Sequence, residues 1–145
     1  MIVEESIAID APPRAVIAVL TALDRYHEWN PWIVRARGEV AVGAIVRVHA
    51  RLGARTMAVR HQILALDPER ELRWCDHGWF TRIAYGERAR VALPRGAGSA
   101  YRCTLSITGL GARLVEAMYG RALAGGLAAE TAALKARVEA LHATA

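Results

Sequence analysis

The sequence predicts an α+β domain in which a curved, seven-stranded antiparallel sheet wraps around one long C-terminal helix, with two short helices after the first strand. Three observations carry this expectation. Residues 33 to 108 alternate apolar and polar side chains in segments separated by glycine- and proline-bearing turns, the signature of a strand meander. Residues 110 to 142 carry apolar side chains in a three/four rhythm, which is one amphipathic helix of unusual length. Ahead of both, a short alternating stretch runs into Asp10-Ala-Pro-Pro, a cap-like acid followed by prolines suited to a helix start.

Taken in order, residues 2 to 10 read as a strand with Val3, Ile7 and Ile9 on one face. A helix follows near Pro13, with Val16, Val19, Leu20 and Leu23 on its apolar side, and a second short helix spans Asp24 to the residue before Pro31. Strands are expected near 33 to 40, 44 to 52, 56 to 66, 70 to 77, 80 to 93 and 99 to 108. Gly43, Gly53, Asp67-Pro68, His77-Gly78 and the stretch 94 to 98 divide them. With the first strand this makes a sheet long enough to bend around an interior. The closing helix shows Leu114, Met118, Leu123, Leu127, Thr131, Leu134, Val138 and Leu141 as its apolar series. Gly120, Gly125 and Gly126 interrupt it, and both close packing and a bend beside a pocket account for them.

A length of 145 residues fits one domain over residues 1–145 with one core, and 54% hydrophobic against 23% charged residues argues against disorder. The opening residues are acidic and alternating rather than basic and then apolar, and no apolar run approaches the ~20 residues of a membrane span, so a cytoplasmic location is expected. Cys75 and Cys103 lack a CxxC spacing and read as free thiols. Cys75-Asp76-His77 holds metal-ligand types, but adjacent strand residues diverge to opposite faces, so no metal is expected. No glycine-rich phosphate loop and no Gly-x-Ser-x-Gly elbow occurs, and no cofactor is expected.

The net charge of +5 comes almost entirely from scattered arginines. The pairs Arg35/Arg37, Arg47/Arg51 and Arg88/Arg90 each share a strand face by their even spacing, which reads as a solvated sheet face. No basic run interleaves with aromatic residues, so nucleic acid is not an expected partner. A basic outer face is instead suited to steering an acidic protein such as an acyl carrier.

The element order resembles the helix-grip domains of the START, Bet v 1 and polyketide-cyclase superfamily, the SRPBCC proteins. Residues 6 to 16 look like the opening strand and helix of that superfamily, and Leu23-Asp-Arg-Tyr-His-Glu-Trp-Asn-Pro-Trp32 looks like its segment of aspartate, aromatic, tryptophan, asparagine and proline. The stretches 38 to 43, 66 to 74 and 107 to 110 follow in the superfamily's order. The resemblance implies a cavity between the concave sheet and the long helix, holding a small hydrophobic molecule such as a lipid, a quinone or a polyketide-like compound. It also shows a departure. Relatives often place His and Phe near positions 88 and 90 and Glu near 105, where this chain has Arg88, Arg90 and Leu105.

Strand alternation selects candidate cavity residues. His61 falls in the row of Met57, Val59 and Ile63, and Asp76 in that of Leu72 and Trp74. Tyr85 and Glu87 fall in the row of Ile83, Ala89, Val91 and Leu93, and Tyr101 and Cys103 in that of Leu105 and Ile107. Glu87 and His61 are the acid/base candidates, with Tyr85 and Tyr101 as hydrogen-bond donors to a developing enolate. Tyr26, Trp29, Trp74, Asp76, Cys103 and Tyr119 complete the expected ligand contacts. The alternative is a slip of parity at a bulge, with Glu87 paired to a neighbouring arginine and His61 a wall residue. Three functions fit: a carrier of a small hydrophobic ligand, a cyclase or dehydratase acting on a polyketide-like carbonyl compound, and an interaction module for an acidic partner.

Overall fold

A computed structural model describes residues 1–145. The chain opens with β1 (Ile2–Ile9), enters α1 (Pro13–Thr21) and continues into a 3-10 segment, Leu23–Glu28. Proline at the start of α1 costs nothing there, because the first turn of a helix has no acceptor for its N–H groups. The meander follows as β2 (Ile33–Arg37), β3 (Ile45–Leu52), β4 (Arg55–Asp67), β5 (Glu71–His77), β6 (Tyr85–Arg95) and β7 (Gly98–Thr108), and α2 (Ala112–Ala143) ends the fold.

All seven strands form one sheet in the order β1-β7-β6-β5-β4-β3-β2. Each meander strand pairs antiparallel with the next, and β1 returns to β7, with Ile7 opposite Tyr101. Irregularities between Ile33 and Arg35 and between Ile63 and Ala65 add a residue to one strand and increase local twist, which helps the sheet curl. Helix α2 packs against β1, β3, β7 and α1.

The two halves of α2 behave differently. Leu127, Glu130, Thr131, Leu134 and Val138 are buried over the core that α1 completes with Val16, Ile17 and Leu20. Full burial of a leucine such as Leu127 or Leu134 stabilises by roughly 1.5–3 kcal/mol. In the first half the expected apolar series is out of phase with the fold until Leu123: Leu114 is 64% and Met118 61% exposed, while Val115 and Tyr119 join Leu123 in facing the interior. Leu141 near the end is exposed as well.

Strand β6 departs further from the sequence reading. It begins at Tyr85, not near residue 80, because Trp79–Arg82 form a 3-10 turn. Its buried positions are Gly86, Arg88, Arg90 and Ala92, so the row of Tyr85, Glu87, Ala89 and Val91 is the outer one. The apolar residues that suggested the opposite parity lie on the convex face. Arg88 and Arg90, expected in solvent, are inside, whereas Arg35, Arg37, Arg47 and Arg51 are exposed.

Candidate functional site

Under the first half of α2 the sheet and helix leave a cavity of about 470 Å³, lined by 25 residues of which 17 are hydrophobic. Strands β3 and β4 supply Val48, Ala50, Met57 and Val59, α2 supplies Val115, Tyr119 and Leu123, and Trp79 stands at the rim. The strand side chains reach it because alternate residues of a curved sheet converge on its concave face.

One wall carries a His–Asp pair. His61 on β4 and Asp76 on β5 are register partners, and Nδ1 of the imidazole lies 3.3 Å from Oδ1 of the carboxylate. The contact is close but not aligned as a hydrogen bond. The backbone N–H of Gly86 donates to Asp76 Oδ2 at 3.0 Å, so the carboxylate is held from the neighbouring strand. Gly86 is the residue that permits this, since a Cβ there would collide with the carboxylate. The imidazole stacks on Trp74, with ring centroids 5.0 Å apart and planes within 6°. A histidine ring fixed by stacking, with a carboxylate beside one nitrogen, leaves its other nitrogen for a proton exchange.

Where the cavity meets the core, the charged residues are fully desolvated. Arg88 donates from Nη2 to Oε1 of Glu130, and Arg90 Nε lies 3.9 Å from the same oxygen. Asn30 Nδ2 donates to the other oxygen, Glu130 Oε2, at 3.0 Å, while Asn30 Oδ1 accepts from the N–H groups of Trp32 and Ile33 at 3.0 and 2.9 Å. Each guanidinium also covers an indole: Arg88 is 4.7 Å from the Trp32 ring centroid and Arg90 3.8 Å from that of Trp74. Burial is the largest single influence and opposes the charge on Arg88, but the Glu130 carboxylate, together with Cys103 and Tyr101, holds that guanidinium above its ordinary range. Trp32, Trp74 and Arg88 all line the cavity, so this cluster forms its inner end.

The family model described as "Polyketide cyclase / dehydrase and lipid transport" matches residues 1–139. The chain belongs to that family. No curated protein matches the sequence. Among solved structures, the family fold recurs in an aromatase/cyclase from Streptomyces sp. R1128, at 17% identity and a TM-score of 0.76 over 96% of this chain and 93% of that one. A protein from Thermus thermophilus is similar at 17% identity and a TM-score of 0.78, over 97% of this chain and 99% of that one. Norcoclaurine synthase from Thalictrum flavum, in complex with dopamine and hydroxybenzaldehyde, is similar at 14% identity and a TM-score of 0.72, over 95% of this chain and 86% of that one. Likeness at this identity speaks for the helix-grip fold.

Within the family fold, the residues selected from the sequence separate into groups. His61, Trp74, Asp76 and Tyr119 line the cavity. Glu87 touches its edge, yet its side chain belongs to the outer row, with Oε1 3.8 Å from Arg73 Nε, and does not meet His61. Tyr85 is also in the outer row, where the neighbouring Cys75 side chain is the chief cause of its hydroxyl's raised pKa of about 12. Tyr101 and Cys103 point inward as their alternation requires but are packed into the core. Tyr26 is core too, its hydroxyl donating to the Leu20 carbonyl at 2.6 Å, and Trp29 packs edge-on against it at 5.2 Å. Sequence reasoning missed Glu130 and Asn30 as site residues, and read Arg88 and Arg90 as surface. A signal was present for Glu130 and for the arginines: a lone glutamate within the apolar stripe of Leu127, Leu134 and Val138, and arginines where relatives differ.

Proposed function

We propose that this protein binds a small hydrophobic molecule, of the kind of a lipid chain, a quinone or a polyketide-like ring system, in the cavity between sheet and α2. The observation that carries this reading is the cavity itself, whose volume of about 470 Å³ and predominantly apolar lining fit a small organic ligand and would be costly to leave filled with water. The test is native mass spectrometry of the purified protein alongside tryptophan fluorescence titration, since Trp32 and Trp74 line the cavity. A co-purified small molecule, or saturable quenching by hydrophobic probes that Leu123→Trp abolishes by filling the space, is the expected result. Equal binding to the filled variant would reject the cavity as the site.

A second reading, an enzyme of the cyclase or dehydratase type, is favoured by one specific arrangement, His61 beside Asp76 on the cavity wall. His61 takes a proton from the carbon next to a substrate carbonyl, and Asp76 stabilises the imidazolium that results. The aldol ring closure or loss of water that follows needs the proton returned to oxygen, which the same imidazolium supplies. Tyr119, also on the lining, is the phenol within reach of the cavity. His61→Ala separates the two readings: it abolishes turnover and spares binding if chemistry occurs there, and changes neither if the protein only carries its ligand.

A further inference from the structure

The inner end of the cavity holds more positive charge than the protein neutralises. Two guanidinium groups, Arg88 and Arg90, share one carboxylate, Glu130, which leaves a local net charge of +1, and their exposures are 4%, 0% and 1%. No nitrogen of Arg90 has a hydrogen-bond partner in the protein, and Nε of Arg88 has none either. Of the other carboxylates on the lining, Asp76 lies beside His61 and accepts from the N–H of Gly86, Glu87 faces Arg73, and neither makes an ion pair with Arg88 or Arg90. Burying a guanidinium without a full set of acceptors is expensive, and stacking on Trp74 replaces only part of its hydration.

We propose that this end of the cavity recognises the acidic group of its ligand, a carboxylate or a comparably ionised enol or phenol, so that the ligand is a hydrophobic acid and not a neutral hydrophobe. This deepens the ligand-binding reading and rests on it. Arg88 provides the direct contact, because it lines the cavity and spends only Nη2 on Glu130. Arg90, behind it, supplies the charge that the protein leaves unbalanced. The apolar walls of β3, β4 and α2 then take the rest of the molecule. The physical logic is that of a charge-assisted bond in a water-poor site, where a full negative charge gains far more than a hydroxyl of the same size. Asp76 repels an anion on its own side and so directs the acidic end toward α2.

The experiment is calorimetric titration at neutral pH with two matched pairs: decanoate against 1-decanol, and 2-naphthoate against 2-naphthalenemethanol. The two pairs distinguish an aliphatic from an aromatic source of the same acid group. Wild type is expected to bind the acid of at least one pair about ten-fold or more tightly than its alcohol, a difference typical of a charge-assisted contact. Arg90→Met removes the unbalanced charge at nearly constant volume. It should erase the preference, leave the alcohol affinity within about three-fold, and keep or raise the melting temperature, since an uncompensated buried charge is lost. Arg88→Met, where it folds, should weaken the acid more than the alcohol. Alcohols binding as well as acids to wild type, or a preference that survives Arg90→Met with a lowered melting temperature, would overturn the proposal while leaving the cavity a hydrophobe site. Binding of none of the four would overturn the cavity reading and this inference with it.

Discussion

The indole of Trp32 lies directly under Gly126 of α2: a Cβ at residue 126 would stand 2.5 Å from the Cδ2, Cε2 and Nε1 atoms of the ring. The ring cannot easily retreat, because Nε1 donates to the Arg51 carbonyl at 3.1 Å and Arg88 lies against the ring. A glycine is therefore what lets the long helix close on the inner end of the cavity.

Substitution at the two adjacent glycines should have opposite signs. Gly126→Ala forces the helix or the indole to move and is expected to cost about 1–3 kcal/mol, as overpacking does. Gly125→Ala meets nothing within 4 Å and should stabilise by about 0.5–1 kcal/mol through helix propensity. Urea unfolding of the two variants checks this, and a gain at both positions would show that the contact with Trp32 is loose.

Removing the single buried carboxylate should be among the most damaging changes available. Glu130→Ala leaves both guanidinium groups without their counter-charge and is expected to cost about 3–5 kcal/mol. Asn30→Ala takes away two acceptor contacts and one donor contact, and about 1–3 kcal/mol is the expected loss. If the two effects, measured in a double-mutant cycle, prove additive, the network does not act as a unit.

The acid/base pair can be separated from its neighbour on the outer face. For any carbonyl substrate that the wild type converts, His61→Ala and Asp76→Asn should each lower kcat by about 10²-fold or more, the usual contribution of a positioned proton carrier. Glu87→Gln should leave kcat within about two-fold, because its carboxylate contacts Arg73 on the outer face. Steady-state kinetics on the three variants decides it, and a collapse of kcat at Glu87→Gln alone would sink the His61–Asp76 assignment.

Alkaline stability should fall for a reason found in the core. Burial raises the Tyr26 phenol from 10.0 to about 12. Between those values the unfolded chain releases the proton and the folded one keeps it, so the stabilisation present below pH 10 is lost as pH rises through about 12. The loss amounts to about 3 kcal/mol for this group, at 1.36 kcal/mol per pKa unit. Tyr101, also raised by burial, adds to it in the same direction. Chemical denaturation from pH 8 to 11 should show the decline, with a shallower slope in Tyr26→Phe; a flat profile would contradict it.

Much of the architecture follows from patterns among consecutive residues. Alternation from Ile33 onward, the prolines after Asp10 and the long three/four rhythm toward the C-terminus locate the strands, α1 and α2 to within a few residues in most cases. The inward row of β4, with His61, and that of β5, with Asp76, were equally readable, because apolar neighbours on the same face confirm the parity. In β6 the same logic points the wrong way. Val91 and Leu93 suggest one face, while the buried face holds Gly86, Arg88, Arg90 and Ala92.

The kind of fold and the order of its elements were written in the linear pattern, since periodicity is a local property of the chain, and the apolar hollow was implied by the resemblance that this order carries. What closes that hollow emerges only when distant segments meet. Two arginines can turn inward only because Glu130, 42 residues beyond Arg88, comes down from the helix to meet them, and Gly126 permits that approach. The desolvation of a charge depends on what stands opposite it in space, and no reading of one strand's own pattern contains that information.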